Sequence, residues 1–166
     1  WGEPAGFLHP YVVPEPTAVA SLDALRALWR FQADTGQRVD VDLERRSVLW
    51  GGSEGGFAAL WADRYAQGYL PEADVVATVA LVPPTDAVGL GQHAVTHFGP
   101  TTGAMVAHYA TAHPWYGAEG ELADALQPEI ASQAHEVLTS GCDDGDLFDH
   151  VDEITDVYRE DFVAAL

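Results

Sequence analysis

The residues best equipped to do chemistry are Trp50-Gly51-Gly52-Ser53-Glu54-Gly55-Gly56, a serine flanked by glycines two positions away on each side, the pattern G-x-S-x-G. A short apolar run, Ser47-Val48-Leu49-Trp50, precedes it, and an amphipathic run rich in Ala and Leu, Phe57 to Tyr65, follows it. Strand, tight turn and helix are the context in which this pattern makes a nucleophile elbow. On such a turn the backbone of the serine is strained, and side chains two residues to either side would collide. Gly51 and Gly55 are therefore expected to make room. The hydroxyl is lifted clear of the sheet and can attack an ester carbonyl once a histidine takes its proton. The backbone N–H of Glu54, at the start of the following helix, would donate to the developing oxyanion. The competing reading is a Gly-rich turn that cradles phosphate. It fits less well, because no Lys follows the glycines.

The chain offers seven histidines as the missing base: His9, His93, His97, His108, His113, His135 and His150. None follows a late strand, where a serine on such an elbow would find its partner. Asp86, just past the apolar run Val75 to Val82, is the one in-chain candidate for the acid, and is otherwise a local cap on backbone amides. His93 and His97 are four apart, as in a zinc helix, but Ala94 stands where the catalytic Glu would be and Gly99-Pro100 stops a helix there. Cys142-Asp143-Asp144-Gly145-Asp146 resembles a calcium loop until the oxygen ligands give out at Leu147 and Phe148, so it reads as a solvated acidic turn. His113-Pro114-Trp115-Tyr116 could line an acyl pocket or sit in a core, and core is preferred. No metal and no cofactor is expected.

These residues must be held by elements that the sequence also outlines. Trp1 to Pro16 reads as a Gly- and Pro-rich loop. Val19, Leu22, Leu25, Leu28 and Trp29 recur at helical spacing over Thr17 to Phe31, with Thr17 as cap. A polar turn from Asp34 to Arg45 leads into the strand before Gly51. Val75 to Val82 is a second continuous apolar run, and both strands read as parallel and buried on two faces. From Val88 onward no strand is convincing; helical patterns run near Ala104 to Thr111, Glu121 to Leu138 and Thr155 to Leu166. The predicted organisation is an α/β core over residues 1–87 and a helical cap over 88–166. Two parallel strands cannot cover their own faces and edges, so the chain reads as the middle of a larger protein.

Composition narrows the function classes. Of 166 residues, 26 are acidic and 7 basic, giving a net charge of −19, and every basic residue is Arg. Such a surface repels phosphate backbones and excludes nucleic-acid binding. It also repels anionic headgroups, leaving only transient contact with a lipid interface through a hydrophobic lid. The acidity itself reads as a solubility or salt-tolerance habit. Cys142 is the only cysteine, which rules out an intrachain disulfide. The longest apolar stretch, Val75 to Pro84, is too short to span a bilayer.

Ser53-Glu54-Gly55-Gly56-Phe57-Ala58-Ala59-Leu60-Trp61-Ala62, followed by Val79-Ala80-Leu81-Val82-Pro83-Pro84-Thr85-Asp86, resembles the secretory lipase family of α/β-hydrolases. Gly2, His9-Pro10-Tyr11-Val12 and Asp23-Ala24-Leu25-Arg26 resemble the same family upstream of its elbow. Beyond Asp86 the likeness is looser, resting on Cys142 and Tyr158-Arg159-Glu160-Asp161-Phe162. The resemblance implies an α/β-hydrolase fold that cleaves carboxylic esters, typically acylglycerols, outside the cell. Glu54 departs from the Gln often found after the nucleophile in such lipases, though its main-chain donor is unaffected. Ser53 would form the acyl-enzyme, with histidine and acid expected beyond Leu166. The rival readings are a peptidase or acyltransferase on the same fold, and a non-catalytic fragment.

Overall fold

The computed structural model describes residues 8–35, 44–117, 122–140 and 145–165. They form two compact units, the first running from Val12 to Thr85. Its elements are α1 (Pro14–Thr35), β1 (Arg46–Gly52), α2 (Glu54–Tyr69) and β2 (Asp74–Leu81). The strands pair in parallel, Trp50 opposite Val79 and Gly52 opposite Leu81, with one irregularity between Ser47 and Val48. A parallel pair needs a crossover, and α2 provides it. Leu22 and Trp29 of α1 pack on Ala62, Ala66 and Leu70, with Leu49 and Val75 of the strands against them.

Polar bonds finish this packing. Arg26 forms an ion pair with Asp23 and donates from Nη2 to the Tyr69 carbonyl at 3.0 Å. The Tyr69 hydroxyl donates back to Asp23 at 3.0 Å. A charged group on the last carbonyls of α2 suits a helix C-terminus. α1 starts earlier than its periodicity suggests. Pro14 and Pro16 lie in its first turn, where proline gives up amides that have no helical partner. Thr17 is consequently inside the helix rather than capping it, and its buried hydroxyl has no partner among the described residues.

The strands depart from expectation in one respect. Only one sheet face is covered by the helices; the other leaves Trp50 69%, Val48 60%, Leu81 50% and Val79 41% exposed. Continuous apolar runs read as doubly buried strands, whereas the second apolar face meets no partner among the described residues of this unit.

The second unit runs from Asp86 and includes His9 to Tyr11. It is helical: α3 (Ala87–Ala94), α4 (Pro100–Trp115), α5 (Leu122–Ala125), α6 (Pro128–Ser140) and α7 (Glu160–Ala165), with 3-10 turns at Gly145–Phe148 and Ile154–Asp156. Val106, Leu126, Ile130, Ala134 and Val157 make its core. Tyr11 is bonded into it at both backbone groups, its N–H donating to Thr111 Oγ1 and its carbonyl accepting from His108 Nδ1, each at 2.8 Å.

The single helix expected over Glu121 to Leu138 is broken before Pro128, which cannot continue the ladder of α5. Leu126 instead bridges Tyr158 in antiparallel fashion, with the Gln127 N–H on Val157 O and the Arg159 N–H on Ala125 O. That bridge also interrupts the helix expected over Thr155 to Leu166. The Gly- and His-rich stretch after Asp86 is helical as α3, with Asp86 at its N-cap and Ala94 its one buried residue. Most of the turn expected over Asp34 to Arg45, and Cys142 to Asp144 of the acidic loop, lie outside the described residues.

Candidate functional site

Ser53 sits where β1 ends and α2 begins, with φ 53° and ψ −120°. A non-glycine residue rarely adopts positive φ, and such strain persists only where the surroundings enforce it. Here the enforcement is visible. The Ser53 N–H donates to Leu81 O at 2.9 Å, which extends the β-ladder to the serine itself. The Ser53 carbonyl accepts from the N–H groups of Gly56 at 3.0 Å and Phe57 at 3.1 Å, which starts the helix. Ser53 is thus the last rung of the sheet and the first acceptor of α2. Its side chain is exposed and does not cap the helix that follows.

The glycines divide the steric work unevenly. A Cβ on Gly51 would lie 2.0 Å from the Gly55 carbonyl oxygen and 2.1 Å from its carbon, a distance no side chain tolerates. A Cβ on Gly55 would meet nothing within 4 Å. The expectation that both flanking glycines clear space therefore holds for Gly51 alone; at Gly55 it is the backbone that Gly51 abuts. Gly56, which sequence reasoning passed over, is the second tight position. A Cβ there would lie 3.1 Å from Leu81 O, 3.2 Å from Gly51 O and 3.3 Å from Pro83 Cβ. The doubled glycine at 55–56 was the available signal, with the G-x-S-x-G pattern drawing attention to the wrong member of the pair.

Glu54 opens α2, in the first turn where helix amides point toward the N-terminal end. Asp86 caps α3, its Oδ1 accepting from the Gly89 N–H at 2.9 Å, as the local reading had it. His93 and His97 stack on one another with centroids 4.4 Å apart. Among the described residues no group of three or more His, Cys, Asp or Glu could hold a metal ion. His108 is engaged by Tyr11, and His113 stacks on Tyr109 at 5.0 Å. Trp115 and Tyr116 are exposed at 40% and 65%, which removes them from the core preferred for them on sequence. The unit that carries Ser53, residues 12–85, contains no histidine at all.

An exposed serine held at positive φ between a parallel strand and a helix is the geometry expected of the family whose motif the sequence carries. The sequence profile of that family, the secretory lipases, matches residues 5–155. The chain belongs to the secretory lipase family. A search of curated proteins finds no match. Among solved structures, this secretory lipase chain is similar to a candidate hydrolase from Legionella pneumophila subsp. pneumophila, known at 1.15 Å. The TM-score is 0.74 at 21% identity, with 95% of this chain and 42% of that chain covered. At that identity the likeness is one of fold. The secretory lipase chain spans less than half the length of that protein.

Proposed function

We propose that this chain carries the nucleophile of a serine hydrolase that cleaves carboxylic esters, acylglycerols and similar lipids, outside the cell. The observation that supports it most is Ser53 at φ 53°, exposed at the strand–helix junction. In the reaction, Ser53 Oγ attacks the ester carbonyl as a histidine takes its proton. The carbonyl oxygen becomes an oxyanion, held by the Glu54 N–H at the positive end of α2. Collapse expels the alcohol, which takes the proton back from the histidine and leaves an acyl group on Ser53; water then releases the acid by the same path. No cofactor takes part.

The base comes from outside residues 12–85, which hold no histidine. The same proposal accounts for the bare strand face: an α/β-hydrolase sheet would continue past β1 and β2, with further strands and helices of the same protein covering Trp50 and Val79. A fluorophosphonate probe tests the core of this reading. Ser53 is expected to be the labelled residue of the full-length protein, and Ser53→Ala to abolish both labelling and ester turnover. Labelling that survives in the alanine variant places the nucleophile elsewhere.

A further inference from the structure

Three non-glycine residues among those described have positive φ: Val12, Ser53 and Val82. Two of them each follow the last paired residues of the sheet. Gly52 pairs with Leu81, and the Ser53 N–H bonds to Leu81 O. Val82 follows directly on the carbonyl to which Ser53 is bonded, so its backbone lies one strand spacing, ~5 Å, from Ser53. Val82 is a poor residue for its conformation twice over. Its β-branched side chain resists φ 44°, and Pro83 behind it favours extended backbone. Its side chain is 82% exposed, so it contributes little to the core of its own unit. Glycine would fit the backbone without strain. A strained, bare isopropyl group beside the strained serine suggests that the side chain itself has a use.

We propose that Val82 is a specificity-determining residue, an apolar wall beside Ser53 against which the hydrocarbon chain of the substrate packs. The proposal rests on the ester-hydrolase reading of Ser53 and deepens it. The substrate class it selects is an ester with an acyl chain long enough to lie along this wall, so that apolar contact adds to transition-state binding for long chains and not for acetyl.

The test is the chain-length profile of the full-length protein on nitrophenyl esters from acetyl to palmitoyl, for the unsubstituted protein and three variants. Val82→Ala removes the wall, Val82→Gly removes the wall and the strain, and Val82→Thr keeps the shape but adds a hydroxyl. Each is expected to lower the ratio of long-chain to short-chain kcat/KM, by roughly tenfold for Ala and Gly. The fluorophosphonate probe should still label Ser53 in all three. A uniform loss across chain lengths, or an unchanged profile, with labelling intact overturns the role of Val82 alone. An unsubstituted protein whose Ser53 is not labelled overturns the hydrolase reading instead. Should Ala and Gly fail to fold, Thr alone decides, because its volume matches that of Val.

Discussion

The two units solve the problem of apolar side chains in opposite ways. In the helical unit, Val106, Leu126 and Val157 are wholly buried, and the backbone groups at the break between α5 and α6 find partners in the Leu126–Tyr158 bridge. In the sheet unit, strand residues as large as Trp50 and Leu81 stand half or more exposed. A helix satisfies its own backbone bonds and needs only one covered stripe. A parallel strand needs neighbours on both edges and cover on both faces. The difference therefore follows from element type: the helical unit gathers a buried core of its own, although Val88, Trp115 and Tyr116 stay exposed, whereas the sheet unit leaves one whole strand face bare among the described residues. The serine sits in the unit with the bare strand face.

Five substitutions bear on that contrast, beginning with the largest expected effect. Gly51→Val is expected to destabilise the sheet unit by several kcal/mol and to abolish activity, because its Cβ has backbone 2.0 Å away. Gly55→Ala should be far milder, since its Cβ direction is open. Chemical denaturation of the two variants, read beside ester turnover, separates them. Equal losses would mean that the turn repacks and that the close approach at Gly51 does not govern it.

A paired truncation then compares the cores directly. Leu126→Ala should cost about 2–5 kcal/mol, as for any fully buried leucine. Trp50→Ala in the full-length protein should cost a similar 3–5 kcal/mol if the bare face is covered as proposed. A cost below about 0.5 kcal/mol, the usual figure for surface positions, would show that the face stays open to water.

The smallest effect belongs to Tyr158. Burial pushes its phenol up to about 12, and its hydroxyl has no partner among the described residues. Tyr158→Phe should therefore be neutral or stabilising by about 1 kcal/mol near pH 7, since a buried unpaired hydroxyl is removed. Because the folded value lies above the unfolded one, the neutral phenol is the form the fold prefers. Its contribution is complete below about pH 10 and is lost as pH rises through 12. Melting curves between pH 9 and 12 should show a steeper alkaline fall for the parent than for the Phe variant. Parallel curves would mean that the phenol reaches water.

What the sequence determined by itself was local and strongly patterned. The run from Ser47 to Tyr65 carries its strand, turn and helix in a short apolar stretch, paired glycines and an Ala- and Leu-rich face, all adjacent in the chain, so the strand–turn–helix was legible without a fold. The Asp86 cap was legible for the same reason, since its partner is Gly89. The tertiary structure alone decided what depends on distant contacts. That Gly56 rather than Gly55 is crowded depends on Leu81 and Pro83, some 25 residues on. The break before Pro128 is held by Val157 and Tyr158, which no window of periodicity reaches. That Val82 comes near Ser53 follows from the register that aligns Gly52 with Leu81. Residue type sets what a segment can form by itself. Which glycine is tight, which helix breaks and which residue follows the carbonyl bonded by Ser53 are set by packing between segments far apart in the chain.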